Sequence, residues 1–235
     1  MLASRVRLAA KLIFDQNASQ LGRWIRRVPC RAKSATTAFL KAKRFERRGM
    51  AVTVSSTGLP DVKLIIPKTL PDSRGLFCEV YNHRDLRAAG ICEDFVQDNH
   101  SISTYKNTIR GLHFQHPPFA QTKLVRAIRG RIFDVAVDIR KSSPTFGHHV
   151  GVELSAENWL QLLIPVGFAH GFCTLEPNCE VVYKVTNYWS REHDCGINWG
   201  DPDLAFPWPL IGAERHLSDR DAALPKLSEL AELFD

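Results

Sequence analysis

Residues 132–140 read Ile-Phe-Asp-Val-Ala-Val-Asp-Ile-Arg, and their alternation decides the fold class. Phe133, Val135, Val137 and Ile139 fall on one side of an extended chain, and Asp134, Asp138 and Arg140 on the other. That period of two predicts a strand with one core face and one wetter face. Working outward, short extended runs recur at 62–66, 76–81, 95–100, 110–115, 150–154, 160–164, 171–175 and 180–188. They are separated by turn signals such as Pro71-Asp-Ser-Arg-Gly75. Asn82 is placed to cap a brief helix over 83–89 that Gly90 closes, and Ser218 to cap another before Pro225. Short strands without long intervening helices argue against a parallel α/β sheet. They predict an all-β, double-sheet jelly roll with a few short flanking helices.

Charge is unevenly placed along the 235 residues. The net charge is +6, yet residues 1–49 carry 13 Lys and Arg against two acids, Asp15 and Glu46. The remaining 186 residues carry 18 basic and 23 acidic side chains and are mildly acidic, so composition offers no support for a nucleic-acid surface on the main body. The basic stretch has the composition of a transit peptide or a membrane-surface segment. Because Met50 directly precedes the first expected strand, residues 1–49 are read instead as an extension outside the fold, with a single domain over 50–235. No apolar run approaches the roughly 18 residues of a membrane span. The six cysteines form no CxxC pair, and reduced thiols in a cytosol are expected.

Polar residues on inward strand positions are the candidates for chemistry. His113 sits in Arg110-Gly-Leu-His-Phe-Gln115, behind a glycine that permits a bend or close approach. A lone histidine on an apolar strand is ordinarily a hydrogen-bonded structural residue, so other groups must support it as a base. Pro165-x-Gly-x-x-His170 looks like half of a metal-binding cupin signature. Gln115 stands where its first half needs a second histidine, no carboxylate follows closely, and no catalytic metal is expected. Tyr183 alternates with Val181 and Val185, and is either a core aromatic tied to backbone or a neutral phenol able to give up a proton. Asp221, three residues after Ser218, resembles the far end of a capping box.

From about Pro60 to Pro225 the chain resembles the dTDP-4-dehydrorhamnose 3,5-epimerases. The matching motifs include Asp72-Ser-Arg-Gly-Leu-Phe, Phe95-Val-Gln-Asp-Asn-His-Ser, Arg110-Gly-Leu-His-Phe-Gln and Lys123-Leu-Val-Arg. They continue through Phe133-Asp-Val-Ala-Val-Asp-Ile-Arg, Ser143-Pro-Thr-Phe-Gly, Pro165-Val-Gly-Phe-Ala-His-Gly-Phe, Tyr183-Lys-Val-Thr-Asn-Tyr and Leu217-Ser-x-x-Asp. The resemblance implies a cupin jelly roll working as a cytoplasmic homodimer, without metal or other cofactor. The substrate would be a dTDP-4-keto-6-deoxy sugar, whose ketone acidifies the hydrogens at C3 and C5. A single-centre epimerase is the nearest alternative; a metal-dependent or non-catalytic cupin is a more distant one.

Motif by motif, the resemblance makes His113 the base, Tyr183 the acid and Asp221 the carboxylate that orients the histidine. Lys123 falls near the sugar ketone. Arg74, Arg110 and His170 fall on groups lining the diphosphate and sugar, and Glu79, Gln97 and Asn99 on other nucleotide-sugar contacts. Asp194 stands where a glutamate is usual, Arg220 where lysine is frequent, and Trp189 where a second tyrosine is usual. Strict alternation would put Arg110 and His113 on opposite faces, so a bend or bulge is expected at Gly111.

Overall fold

The structure, a computed structural model, describes residues 52–210, 212 and 214–235. The basic stretch 1–49 therefore lies outside the described residues. A six-stranded sheet runs in the order β1 (Val52–Ser56), β2 (Lys63–Pro67), β10 (Gln161–Ile164), β7 (Lys123–Arg129), β12 (Cys179–Val185), β5 (Gln97–Ser103). A five-stranded sheet runs β13 (Asp194–Gly196), β6 (Ile109–Gln115), β11 (Phe168–Thr174), β8 (Arg131–Asp138), β9 (His149–Ser155). A hairpin of β3 (Thr69–Asp72) and β4 (Gly75–Cys78) pairs only with itself. From β5 onward the chain changes sheet at every connection except the β8–β9 hairpin, and the pairings are antiparallel, as a jelly roll requires.

The two short helices form where capping predicts them. Asn82 Oδ1 accepts from Asp85 N at the start of α1 (His83–Ala88), and Ser218 Oγ accepts from Asp221 N at the start of α2 (Asp219–Ala222). The expected strand over 76–81 stops at Cys78, and that over 180–188 stops at Val185.

The alternation of residues 132–140 is real, but its faces need reassignment. Asp134 and Asp138 are fully buried, so neither side of β8 is wet. Their side of the strand, shared with Ile132 and Ala136, looks into the space between the sheets, where it meets Val125, Leu162, Phe168, Phe172 and Val181. Phe133, Val135, Val137 and Ile139 point away from that space and form a second core with Leu112, Phe114, Ile197, Leu204 and Leu227. Phe206, Trp208, Leu230, Leu233 and Phe234 of the C-terminal segment cover it. Period two identifies two faces; it cannot tell which one the chain's own tail will cover.

Gly111 carries the expected irregularity. His170 of β11 pairs with His113, and Phe172 pairs with Arg110, so one residue of β11 stands opposite two of β6. Gly111 takes φ 103°, and a Cβ there would lie 2.6 Å from the His170 carbonyl oxygen and 2.8 Å from the Gly171 Cα. Both obstacles are backbone, so no other residue type fits without moving a strand.

Candidate active site

Leu112 and Phe114 belong to the outer core, so alternation turns His113 and Gln115 of β6 toward the space between the sheets. Across the bulge, Arg110 turns the same way. Its Nε donates to Ser103 Oγ (3.0 Å) and its Nη2 to the Ile102 carbonyl (2.9 Å), both on β5 of the facing sheet. The bulge thus reconciles two side chains that strict alternation separates.

His113 Nε2 lies 2.6 Å from Asp221 Oδ1, and the Gly111 N–H donates to Asp221 Oδ2 at 3.3 Å. Burial alone would raise the Asp221 carboxyl, but these bonds, the histidine's charge and Arg220 hold it below the usual carboxylate range. The Asp221 side chain leaves its own helix cap to Ser218 and turns to the histidine. An ionised Asp221 fixes the ring by accepting from Nε2–H, which leaves the other ring nitrogen as the acceptor.

Lys123 opens β7 and is buried; its Nζ donates to the His113 carbonyl at 3.1 Å. Burial pushes its ammonium down to about 8, against the pull of Asp194 and Asp134. His170, also buried, bonds through Nε2 to Asp134 Oδ1 at 2.7 Å. Burial lowers the His170 pKa despite that carboxylate, with the Lys123 and His113 charges adding to the fall. Asp134 Oδ2 is buried with no hydrogen-bond partner among the described residues. Asp134 was missed as a site residue. The only sequence signal was an acid in an apolar run, which reads equally well as a wet face.

Tyr183 packs against the inner core beside Val181. No hydrogen bond ties its hydroxyl to backbone or side chain among the described residues, so it is not the tethered core aromatic. Burial raises its pKa, with Arg110 opposing, and the phenol is neutral at neutral pH. On the rim, Gln97 Nε2 donates to Asn99 Oδ1 (2.9 Å), and Gln97 Oε1 accepts from the Trp189 N–H (3.3 Å). Asp194 and Arg220 are ion-paired at 2.8 Å.

Two expected contacts do not join this group in the single chain. Arg74 sits on the β3–β4 turn with its side chain 88% exposed, bonded to Asp72, and Glu79 follows β4 on the exposed surface. Clefts lie elsewhere as well. One of about 390 Å³ is lined by Asp61, Arg140 and Asp235, but its guanidinium is bound to Asp138 and Asp61. A smaller one of about 290 Å³ is lined by Arg110, Tyr105, His216 and Asp221, and so opens onto the dyad's carboxylate. Among the described residues no three His, Cys, Asp or Glu side chains converge as metal ligands.

The fold is a cupin-type jelly roll that directs a histidine–carboxylate pair, a buried ammonium and a neutral phenol between two sheets, a set able to take up and return a proton. Residues 56–229 match the family described as dTDP-4-dehydrorhamnose 3,5-epimerase. The chain belongs to that family. The enzyme of this name from Shigella flexneri is 52% identical over 171 residues, 72% of this chain and 93% of its own. The crystal structure of the Bacillus anthracis enzyme, with TDP and PPi bound, superposes at TM-score 0.73 with 51% identity, covering 75% of this chain and 99% of its own. A Legionella pneumophila dTDP-6-deoxy-D-glucose-3,5-epimerase in complex with dTDP-4-keto-L-rhamnose gives TM-score 0.72 and 45% identity, covering 76% and 94%.

Proposed function

We propose that this chain epimerises dTDP-4-dehydro-6-deoxy-D-glucose at C3 and C5 to dTDP-4-dehydro-L-rhamnose. The observation that carries the reading is the 2.6 Å His113–Asp221 pair set behind the Gly111 bulge, in a chain that belongs to this epimerase family. The C4 ketone acidifies the neighbouring C–H bonds. His113 takes a proton from one face, and Asp221 stabilises the imidazolium that forms. Charge then develops on the C4 oxygen, where the Lys123 ammonium holds it in a dry site that strengthens the interaction. Tyr183 returns a proton to the opposite face, inverting the carbon; once His113 has given its proton to solvent and Tyr183 has regained one from it, the cycle repeats at the second carbon. His170, kept neutral by burial and bonded to Asp134, lines the sugar. Arg110, Gln97, Asn99 and Arg220 serve the nucleotide end.

Lys123 carries a pH signature with opposite signs for activity and stability. Enolate stabilisation needs the ammonium, so kcat/KM is expected to fall above pH about 8, approaching tenfold per unit. The folded value lies below the ordinary 10.5, so the unfolded chain binds more protons in between. Stability is therefore expected to rise from pH 8 towards 10.5 as activity is lost. A pH–rate profile beside a denaturant series at each pH checks both; activity flat to pH 10 would remove Lys123 from the enolate site.

The working unit is a homodimer. The β3–β4 hairpin leaves Leu70, Leu76 and Phe77 exposed, Phe77 at 63%, and holds Arg74 and Glu79 away from their own chain's dyad. An apolar hairpin with spare polar ends suits a second copy, whose site it completes. Light scattering is expected to give twice the chain mass; a fully active monomer would contradict this.

No helix among the described residues is long and apolar enough to cross a membrane, and the described cysteines are free. The family match begins at residue 56, which supports a catalytic domain that leaves out residues 1–49, and free thiols suit a reducing cytoplasm. The test is to incubate the whole chain, and a version beginning at Met50, with authentic substrate and read the sugar's stereochemistry by NMR. Both are expected to give the L-rhamno product. Unchanged substrate with both folded proteins would overturn the reading.

A further inference from the structure

The helix that carries Asp221 cannot hold itself in place. α2 is a single turn of four residues, far below the length at which a helix is stable alone, so the chain on either side of it decides where Asp221 sits. Each side is tied down by an asparagine that no step of the proposed reaction uses.

On the entering side, Asn107 lies in the turn between β5 and β6, 5% exposed and in the left-handed region at φ 58°. Its Nδ2 donates to the Glu214 carbonyl (3.1 Å), its carbonyl accepts from the His216 N–H (3.2 Å), and its N–H donates to the Thr174 carbonyl (2.9 Å). One residue thus joins the approach to α2 to the end of β11. The neighbouring Ile109 N–H donates to the His216 carbonyl (2.9 Å), and the His216 ring stacks on Tyr105 with centroids 4.4 Å apart. On the leaving side, Asn198 Nδ2 donates to the Leu224 carbonyl (3.0 Å), its N–H donates to the Pro225 carbonyl (2.7 Å), and its Oδ1 accepts from the Gly200 N–H (2.8 Å). Ile197, next to it, exchanges both backbone bonds with Leu112, next to His113. The exit from α2 is therefore fixed to the strand that carries the base.

We infer that Asn107 and Asn198 are positioning residues: bracing α2 from its two ends, they keep the Asp221 carboxylate within bonding range of His113. The inference rests on the acid–base reading above. Asp221 meets His113 at 2.6 Å, and a displacement of about 1 Å takes such a contact past hydrogen-bond range. The ring then loses the partner that sets its tautomer and stabilises its imidazolium, so a small slackening of the brace reaches the reaction through Asp221 alone.

The experiment measures kcat with authentic substrate, and the low-field proton resonance of the His113–Asp221 bond by NMR, on the full chain. The unaltered protein is expected to show a resonance that Asp221→Asn removes. Asn107→Gly deletes the side chain and leaves a residue that takes φ 58° freely; Asn198→Asp keeps the acceptor for Gly200 and loses the donor to Leu224. Each is expected to weaken the resonance and to lower kcat about tenfold, yet to cost less than about twofold once Asp221→Asn is already present. A general loss of stability would lower the rate alike in both backgrounds. An undiminished resonance in both variants, or equal fractional losses of kcat with and without Asp221→Asn, would overturn the inference. Failure of the epimerase reading looks different: the unaltered chain would show the resonance and not turn the substrate over. Should Asn198→Asp fail to fold, Asn107→Gly decides the matter alone.

Discussion

Replacing His113 by Ala is expected to lower turnover at least about a thousandfold while leaving the protein folded. The rate loss follows from the loss of the group that removes the C–H proton, with no second histidine able to take over. His170 is buried, bonded to Asp134 at 2.7 Å and biased to its neutral form, so its Nε2 is committed elsewhere. The fold survives because the His113 side chain is 29% exposed and belongs to none of the apolar clusters. The chief structural cost is the Asp221 carboxylate, 6% exposed, which keeps the Gly111 N–H but loses its main partner. A buried acceptor left partly unsatisfied costs about 1–3 kcal/mol. Circular dichroism and a denaturant midpoint alongside kcat separate the two effects. Turnover within tenfold of the unaltered enzyme would remove His113 from the role of base.

Changing Tyr183 to Phe is the second large effect, and its signature differs in kind. The hydroxyl has no hydrogen-bond partner among the described residues, so its removal strands nothing, and stability should change by less than about 1 kcal/mol. Inversion should nevertheless slow by about a hundredfold or more, because the face opposite His113 loses its proton donor. KM should move little, since the ring and its packing remain. With the base intact, the proton can still leave and return on the original face. In deuterated water the recovered substrate is therefore expected to gain deuterium faster than product forms. A raised KM with unchanged kcat would instead make Tyr183 a binding residue.

Much of this was legible in the sequence, for identifiable reasons. Strand period, caps at Asn82 and Ser218, and the absence of long helices depend on local physics and gave the jelly roll directly. The Gly111 bulge was legible because the resemblance put Arg110 and His113, three residues apart, in one site, which strict alternation forbids. What could not be read was anything decided by a distant layer. Phe133, Val135, Val137 and Ile139 were correctly one face, yet the cover over them comes from residues near 204–234, and the acid-bearing face is the interior. Asp134 was lost for the same reason. Asp221 showed only a capping pattern locally, and its bond to His113, 108 residues away in sequence, was legible through the resemblance alone. Trp189, Asp194 and Arg220 stood out singly as departures, but nothing in their spacing said that one carboxylate oxygen joins them. Arg74 and Glu79 were assigned by motif alone, and their place on an exposed hairpin needed the fold.

The central claim is reversible proton removal next to a sugar ketone by His113, followed by return to the other face. Its most direct measurement is incubation of the enzyme with dTDP-4-dehydro-6-deoxyglucose in deuterated water, reading C3 and C5 by NMR and mass. Deuterium at both carbons of an L-rhamno product is the expected result. No deuterium at either carbon, in folded protein with authentic substrate, would contradict it; deuterium and inversion confined to one carbon would make the chain a single-centre epimerase.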